Sequence, residues 1–248
     1  MDRLIDVART AMRGTLARQT AISNNLANVN TAGFRAEIYN ASTRWIGGEN
    51  TLQSRAESVD QVIGANMKQG TVTPTGNPLD VAVDGDALLA VQANDGSEGY
   101  TRRGDMRVND SGLLLTGDGH PVLGSAGPIT LPPADNVRIA KDGGIWIVPQ
   151  GGQIDQQVQV DTLKLVNAKG SSIAKGTDNL FREANGGALP DDPLASVTAG
   201  SLEGSNVEST TALVQMIEAS RGWETQIKMI ETAKDIDNGG ASLMRLDS

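Results

Sequence analysis

The residues able to do chemistry are few. A single histidine, His120, stands between Gly119 and Pro121, and there is no cysteine. That excludes a thiolate zinc site, a cysteine nucleophile and a disulfide framework. A base at His120 would need a nucleophile to activate, yet no serine lies in a Gly-x-Ser-x-Gly elbow, and the setting reads as a turn. Gly117-Asp118-Gly119 lacks the third glycine of a dinucleotide loop, and no phosphate-binding Gly-x-x-x-x-Gly-Lys-Ser/Thr occurs. Asp84-Gly85-Asp86 and Asp191-Asp192-Pro193 are short acidic clusters without the calcium-loop spacing. Two carboxylates can hydrolyse a glycosidic bond, but 30 acidic residues make accidental pairs expected. Asn40-Ala41-Ser42 and Asn109-Asp110-Ser111 match the glycosylation acceptor only formally. No catalytic residue, metal or cofactor is expected.

The elements that would position such groups differ along the chain. Its 248 residues allow one domain or two. A net charge of −9 argues against a nucleic-acid partner. Charge interrupts the first nine residues, Met1 to Arg9, so no Sec-type signal is read there. No stretch reaches the ~18 apolar residues of a membrane helix, so no insertion is expected. The chain is soluble, or is moved by a route that reads something other than an apolar signal.

Residues 1–29 carry a helical period. Steps of four and three give Met1, Ile5, Ala8, Met12, Thr15, Gln19, Ile22, Leu26 and Val29, seven of nine apolar. Gly14 falls mid-helix, where glycine costs about 1 kcal/mol relative to alanine, so close packing is expected there. The helix should stop near Asn30, before Gly33. At the other end, Ser205-Asn206-Val207-Glu208 fits a capping box. A seam follows through Leu213, Met216, Ser220, Trp223, Ile227 and Ile230, to a stop at Asn238-Gly239-Gly240. Segment 1–35 carries +3 and segment 201–248 carries −4. Two readings stand close to even: the helices pair with each other or with copies of each other, or each docks on the central domain.

Between them the pattern turns to strands. Leu79–Val83, Ala87–Val91, Leu113–Leu115, Ile145–Val148 and Val158–Val166 are short apolar or alternating runs. Asp95-Gly96, Asn109 to Gly112, Gly117 to Gly119 and Asp142 to Gly144 separate many of them. This spacing predicts a β-sandwich or barrel-like domain over 79–200. Residues 36–78 show neither period and read as an extended connector, with room for a short helix or hairpin. A long amphipathic helix gains most of its stability by burying its stripe. Helices that extend away from the β domain would therefore order on association with neighbours. Head-to-tail contacts that do not close build a filament.

One stretch is odd for a plain helix end. Asn24, Asn25, Asn28 and Asn30 crowd the seam around Leu26. Asparagine is a mediocre helix former, and on a seam it sets register at a cost in stability. Ser23 through Arg35, SNNLANVNTAGFR, closely resembles the N-terminal signature of the bacterial flagellar rod and hook family. Gly200 through Glu208, GSLEGSNVE, resembles the element that opens that family's C-terminal helix, and Met216-Ile217 and Arg221-Gly222-Trp223-Glu224 follow in register. Leu79 through Asp86 and Tyr100-Thr101-Arg102-Arg103-Gly104 resemble its central motifs. Asp86-Ala87-Leu88, Asp6-Val7 and Gly222 depart from the pattern.

The resemblance covers the whole chain and implies an α+β architecture. Helices 1–34 and 203–248 would form an inner coiled-coil-like domain (D0, the second shared with Dc), 35–78 an extended connector (Dc), and 79–202 a β-rich outer domain (D1). It further implies a structural subunit of the basal-body rod, proximal by its opening Met1-Asp2-Arg3-Leu4-Ile5 and its length, with a distal-rod subunit as the alternative. It implies export by the flagellar type III apparatus, assembly with itself and other axial proteins in the periplasm, and torque transmission. Implied subunit-interface residues are Ile5, Met12, Ile22, Asn24, Asn25, Leu26, Asn28, Phe34, Asn206, Met216, Trp223, Ile227 and Ile230. A secreted carbohydrate-active enzyme and a surface adhesin are the competing classes; the first predicts glycan turnover abolished by a single Asp or Glu change, the second motility and rod assembly independent of this chain.

Overall fold

A computed structural model describes residues 2–46, 55–152 and 157–246. The chain forms two compact units. The first comprises residues 1–27, 37–63 and 208–248, and the second 28–36 and 64–207.

In the first unit, α1 (Asp2–Ala27) packs on α2 (Ser209–Leu246). The two run antiparallel: Gln226 Nε2 donates to Thr15 Oγ1 at 2.9 Å, while Arg18, one turn further along α1, pairs with Glu218 at 3.6 Å. Ala8, Gly14, Ala21 and Ile22 are buried on α1. On α2 the inward positions are Ala212, Met216, Ala219, Trp223, Gln226, Ile230 and Ala233, a regular four-three repeat. Three of these belong to the expected seam. The other three expected positions, Leu213, Ser220 and Ile227, turn outward, and their inward places go to Ala212, Ala219 and Gln226. Both sets satisfy the period. The set with small residues lets the helices approach closely, so packing decides against side-chain size.

Two boundary expectations also shift. α2 continues through Gly239 and Gly240 to Leu246; each glycine costs only about 1 kcal/mol in a helix interior and is no absolute stop. The capping box does not form. Ser205 Oγ instead accepts from Val207 N at 3.2 Å, and Glu208 supplies the first helical carbonyl, to Ala212 N at 2.9 Å. Strands β1 (Glu37–Ile46) and β2 (Arg55–Ala65) pair as a two-stranded ribbon.

The second unit is antiparallel throughout the registered strand pairs. A five-stranded sheet runs β12 (Leu165–Asn167), β5 (Ala87–Gln92), β6 (Glu98–Thr101), β14 (Phe181–Glu183) and β13 (Ile173–Lys175). Strand β5 explains its own composition. Ala87, Leu89 and Val91 enter one core with Val81, Leu114, Val122, Ile129 and Ile145, while Leu88 and Ala90 enter a second with Tyr100, Val166, Phe181 and Leu189. A strand covered on both faces reads as a continuous apolar run, not as an alternation. β9 (Ala134–Ile139), β10 (Gly144–Pro149) and β11 (Val158–Thr162) form a second sheet. Two short pairs bring distant chain together: β4 (Val81–Val83) with β15 (Val197–Ala199), and β3 (Val72–Pro74) with β16 (Ser201–Glu203). The β structure expected of 79–200 is thus present, as several small sheets over two cores.

Candidate functional site

The densest polar cluster lies where β16 ends. Glu203, Arg35 and Arg102 are each about 1% exposed. Glu203 Oε1 lies 2.7 Å from Arg35 Nη2 and accepts from Gly70 N at 2.7 Å. Its Oε2 takes Arg102 Nε at 2.9 Å and Nη2 at 2.7 Å. Arg102 spends its other donors on the carbonyls of Val83 (2.7 Å), Gly85 (2.8 Å) and Ala87 (2.6 Å), so all five are engaged. Arg35 also donates to the Lys68 carbonyl, while its Nε has no hydrogen-bond partner among the described residues. Burial pulls the Arg35 pKa below the ordinary arginine value; Glu203 opposes that shift and Arg102 adds to it.

The backbone is shaped to permit this. Gly33 sits at φ +66°, and a Cβ there would lie 2.3 Å from the carbonyl carbon and oxygen of Arg102. Only glycine fits. Gly33 N in turn donates to Glu203 O at 2.7 Å. Phe34 is buried, with Lys175 Nζ 3.6 Å from its ring centroid and donating to Arg35 O at 3.1 Å.

Asn206 and Asn25 act on backbone. Asn206 Oδ1 accepts from Ala36 N at 2.7 Å, and its Nδ2 donates to the carbonyls of Asn66 (2.6 Å) and Lys68 (2.8 Å). Asn25 brackets one residue of β1: Oδ1 accepts from Glu37 N at 2.8 Å and Nδ2 donates to Glu37 O at 3.1 Å. Asn24 donates to the Glu37 carboxylate, and Asn28 Oδ1 accepts from Thr31 Oγ1 at 3.1 Å. These groups find partners inside one chain. Of the apolar residues named from the sequence, Ile22 is buried, and Met12, Leu26, Met216, Trp223 and Ile230 are half-buried; Ile227 is 38% exposed. The Ile5 side chain lies outside the described residues.

The chemical candidates stay apart. His120 is buried, and its Nδ1 has no hydrogen-bond partner among the described residues. Asp84 accepts from the hydroxyls of Ser196 (2.8 Å) and Thr198 (3.2 Å), and Asp192 from Asn167 at 2.8 Å. Among the described residues no group of three acidic or histidine side chains could hold a metal, and no helix is long and apolar enough to cross a membrane. Arg35, Arg102 and Glu203 were absent from the expected site. The signal that could have raised them is one charge in each resemblance motif: Phe34-Arg35, Tyr100-Thr101-Arg102 and Leu202-Glu203.

Three family models match the chain, and each matched segment supplies one member of this cluster. Residues 5–35 match the flagella basal body rod protein family. Residues 82–147 match the flagellar hook protein FlgE/F/G D1 domain, and residues 198–243 the C-terminal region of flagellar basal body rod FlgEFG proteins. The chain belongs to the flagellar rod and hook family. Within it, the similarity is greater to FlgF than to FlgG. The flagellar basal-body rod protein FlgF of Escherichia coli K12 is 40% identical over 241 residues, 95% of each chain. FlgF of Salmonella typhimurium LT2 is 40% identical over 248 residues, 98% of each. FlgG of Bacillus subtilis 168 is 31% identical over 249 residues, 92% of this chain and 93% of its own. The protein is a structural subunit of the flagellar basal-body rod, most like FlgF, and not an enzyme.

Proposed function

We propose that the chain builds the proximal rod by polymerising through α1 and α2, and that the resulting shaft transmits torque. The observation that carries this reading is the outward face of α2. Leu213, Val214, Ile217, Met229 and Ile236 are 45–56% exposed, although a complete inward seam already serves α1. A run of large apolar side chains on a helix otherwise satisfied is surface kept for a partner. Ile227 belongs to it, and Leu16 is exposed on α1. The opposite charges of the two terminal segments favour contact between the α1 of one subunit and the α2 of another.

In this reading D0 is 1–34 with 203–248, the latter shared with Dc, Dc is 35–78 and D1 is 79–202. Copies of the chain and other axial proteins are its partners, met in the periplasm after type III export. The inward seam, with Met12, Ile22, Leu26, Met216, Trp223 and Ile230, forms a coiled-coil-like pair within each subunit. The outward stripe joins subunits. Burying it at about 25 cal/mol per Å², repeated over a helical stack, supplies the stiffness a drive shaft needs.

The test is an Ile217→Asp variant. The isolated chain should melt within about 2 °C of wild type, because the position is solvent-exposed, while cells carrying it should fail to assemble rods and to swim. Normal motility would end the reading.

A further inference from the structure

The segments by which the chain first enters and last leaves the β unit meet at one place. Gly33 N donates to Glu203 O at 2.7 Å, and Asn206 N to Phe34 O at 3.2 Å. Ala36 N donates to Asn206 Oδ1 at 2.7 Å, and Arg35 Nη2 lies 2.7 Å from Glu203 Oε1. These contacts fasten segment 33–36 to segment 203–206. Nearly every strand of the unit is built from chain lying between them. The fastening is itself anchored. Arg102 ties it to the carbonyls that end β4 and begin β5, and Asn206 ties it to Asn66 and Lys68.

We infer that this junction is a mechanical staple. Tension or torque arriving along either terminal helix reaches these bonds first and crosses to the other terminal segment through them. The intervening sheets stay unstrained. The chemistry suits the task. A hydrogen bond in water is exchanged for one to solvent with little resistance, whereas charge-assisted bonds between fully buried groups have no solvent to replace them. Glu203 accepts four such bonds, so slipping the junction requires several to break together. The staple takes its purpose from the rod reading and deepens it, yet its existence is a property of the isolated chain.

Single-molecule stretching of the full 248-residue chain, held at its two ends, reads it directly. The antiparallel helices should separate first at low force. The β unit and the β1–β2 ribbon, both built from chain between Gly33 and Glu203, should then open in one step that frees about 170 residues, roughly 600 Å of extended chain. Glu203→Gln should lower the force of that step at least about twofold. Asn206→Ala keeps the carboxylate and its arginines, and should lower it by about a third. Arg182→Ala, which removes the partly exposed pair with Asp178 and touches no member of the junction, should leave it unchanged. If Glu203→Gln fails to fold, Asn206→Ala decides alone. Wild-type sheets paying out in several smaller steps, or staple variants opening at the wild-type force, would overturn the inference. Neither result depends on whether rods assemble, which the Ile217→Asp variant reads separately.

Discussion

Glu203 Oε1 and Arg35 Nη2 lie 2.7 Å apart although 168 positions separate them in the chain, and neither side chain reaches solvent. A buried carboxylate facing two guanidiniums is stable only as a set, because removing one member strands the others without solvation. Glu203→Gln should therefore destabilise the β unit by about 3–5 kcal/mol. Arg102→Met should cost more than Arg35→Met: it takes a donor from the carbonyls of Val83, Gly85 and Ala87, where Arg35 gives up only the Lys68 carbonyl, which keeps Asn206 Nδ2. Urea unfolding of the three variants checks the order, and an Arg35→Met variant less stable than Arg102→Met refutes it.

Gly33→Ala tests backbone geometry without touching charge. The added methyl would meet the Arg102 carbonyl at 2.3 Å and sit on a left-handed residue. Strain and overpacking together should cost about 2–5 kcal/mol, lowering the melting temperature by about 4–20 °C for a chain of this size. The amides of residue 33 and of Gly70, both bonded to Glu203 in the wild type, should exchange with deuterium faster in the variant. A wild-type melting curve would mean the segment relaxes freely and the glycine is not required.

Asn25→Ala removes both bonds to the backbone of Glu37 and should cost about 1–3 kcal/mol in the first unit. Asn25→Asp should not rescue it: a carboxylate still accepts from Glu37 N but repels Glu37 O, which the amide had satisfied. Proteolysis within 37–65 should quicken in both variants, while the β unit stays resistant. Rescue by aspartate would show that only the N–H bond matters.

How much of this could be read beforehand follows from the range of each interaction. The two helices and strands β4, β5, β8 (Leu114–Thr116) and β10 coincide with apolar patterns only a few residues long, and periodicity is a local property. The phase of α2 was not legible. Leu213 and Ala212 serve the same heptad, and the choice depends on how closely α1 approaches. The asparagines stand out in the sequence as poor helix formers crowded on a seam. Their partners, Glu37 for Asn25 and Ala36, Asn66 and Lys68 for Asn206, follow from tertiary placement. The charge cluster was hardest to foresee, because Arg35, Arg102 and Glu203 each look like a solvated charge beside an apolar neighbour until the fold joins them.

Alkaline pH offers a probe of the second core. Tyr100 is fully buried, and its hydroxyl accepts from Leu189 N at 2.7 Å. Burial is the main cause that pushes its pKa from 10 up to about 12, and the Glu98 and Glu183 carboxylates act in the same direction. The folded state thus holds this proton more tightly than the unfolded chain does. The resulting stabilisation is complete below pH 10 and is lost as pH rises from 10 through 12. Two pH units of difference correspond to about 2–3 kcal/mol at most. Tyr100→Phe should be less stable than wild type at pH 7, since it leaves the Leu189 N–H buried without an acceptor. Its stability should then fall less steeply above pH 10, so the two urea midpoints converge by pH 11.5. Lysine deprotonation affects both proteins equally and cancels in the comparison. Parallel curves across that range would show that Tyr100 ionises without opposing the fold, and that the second core admits the charge.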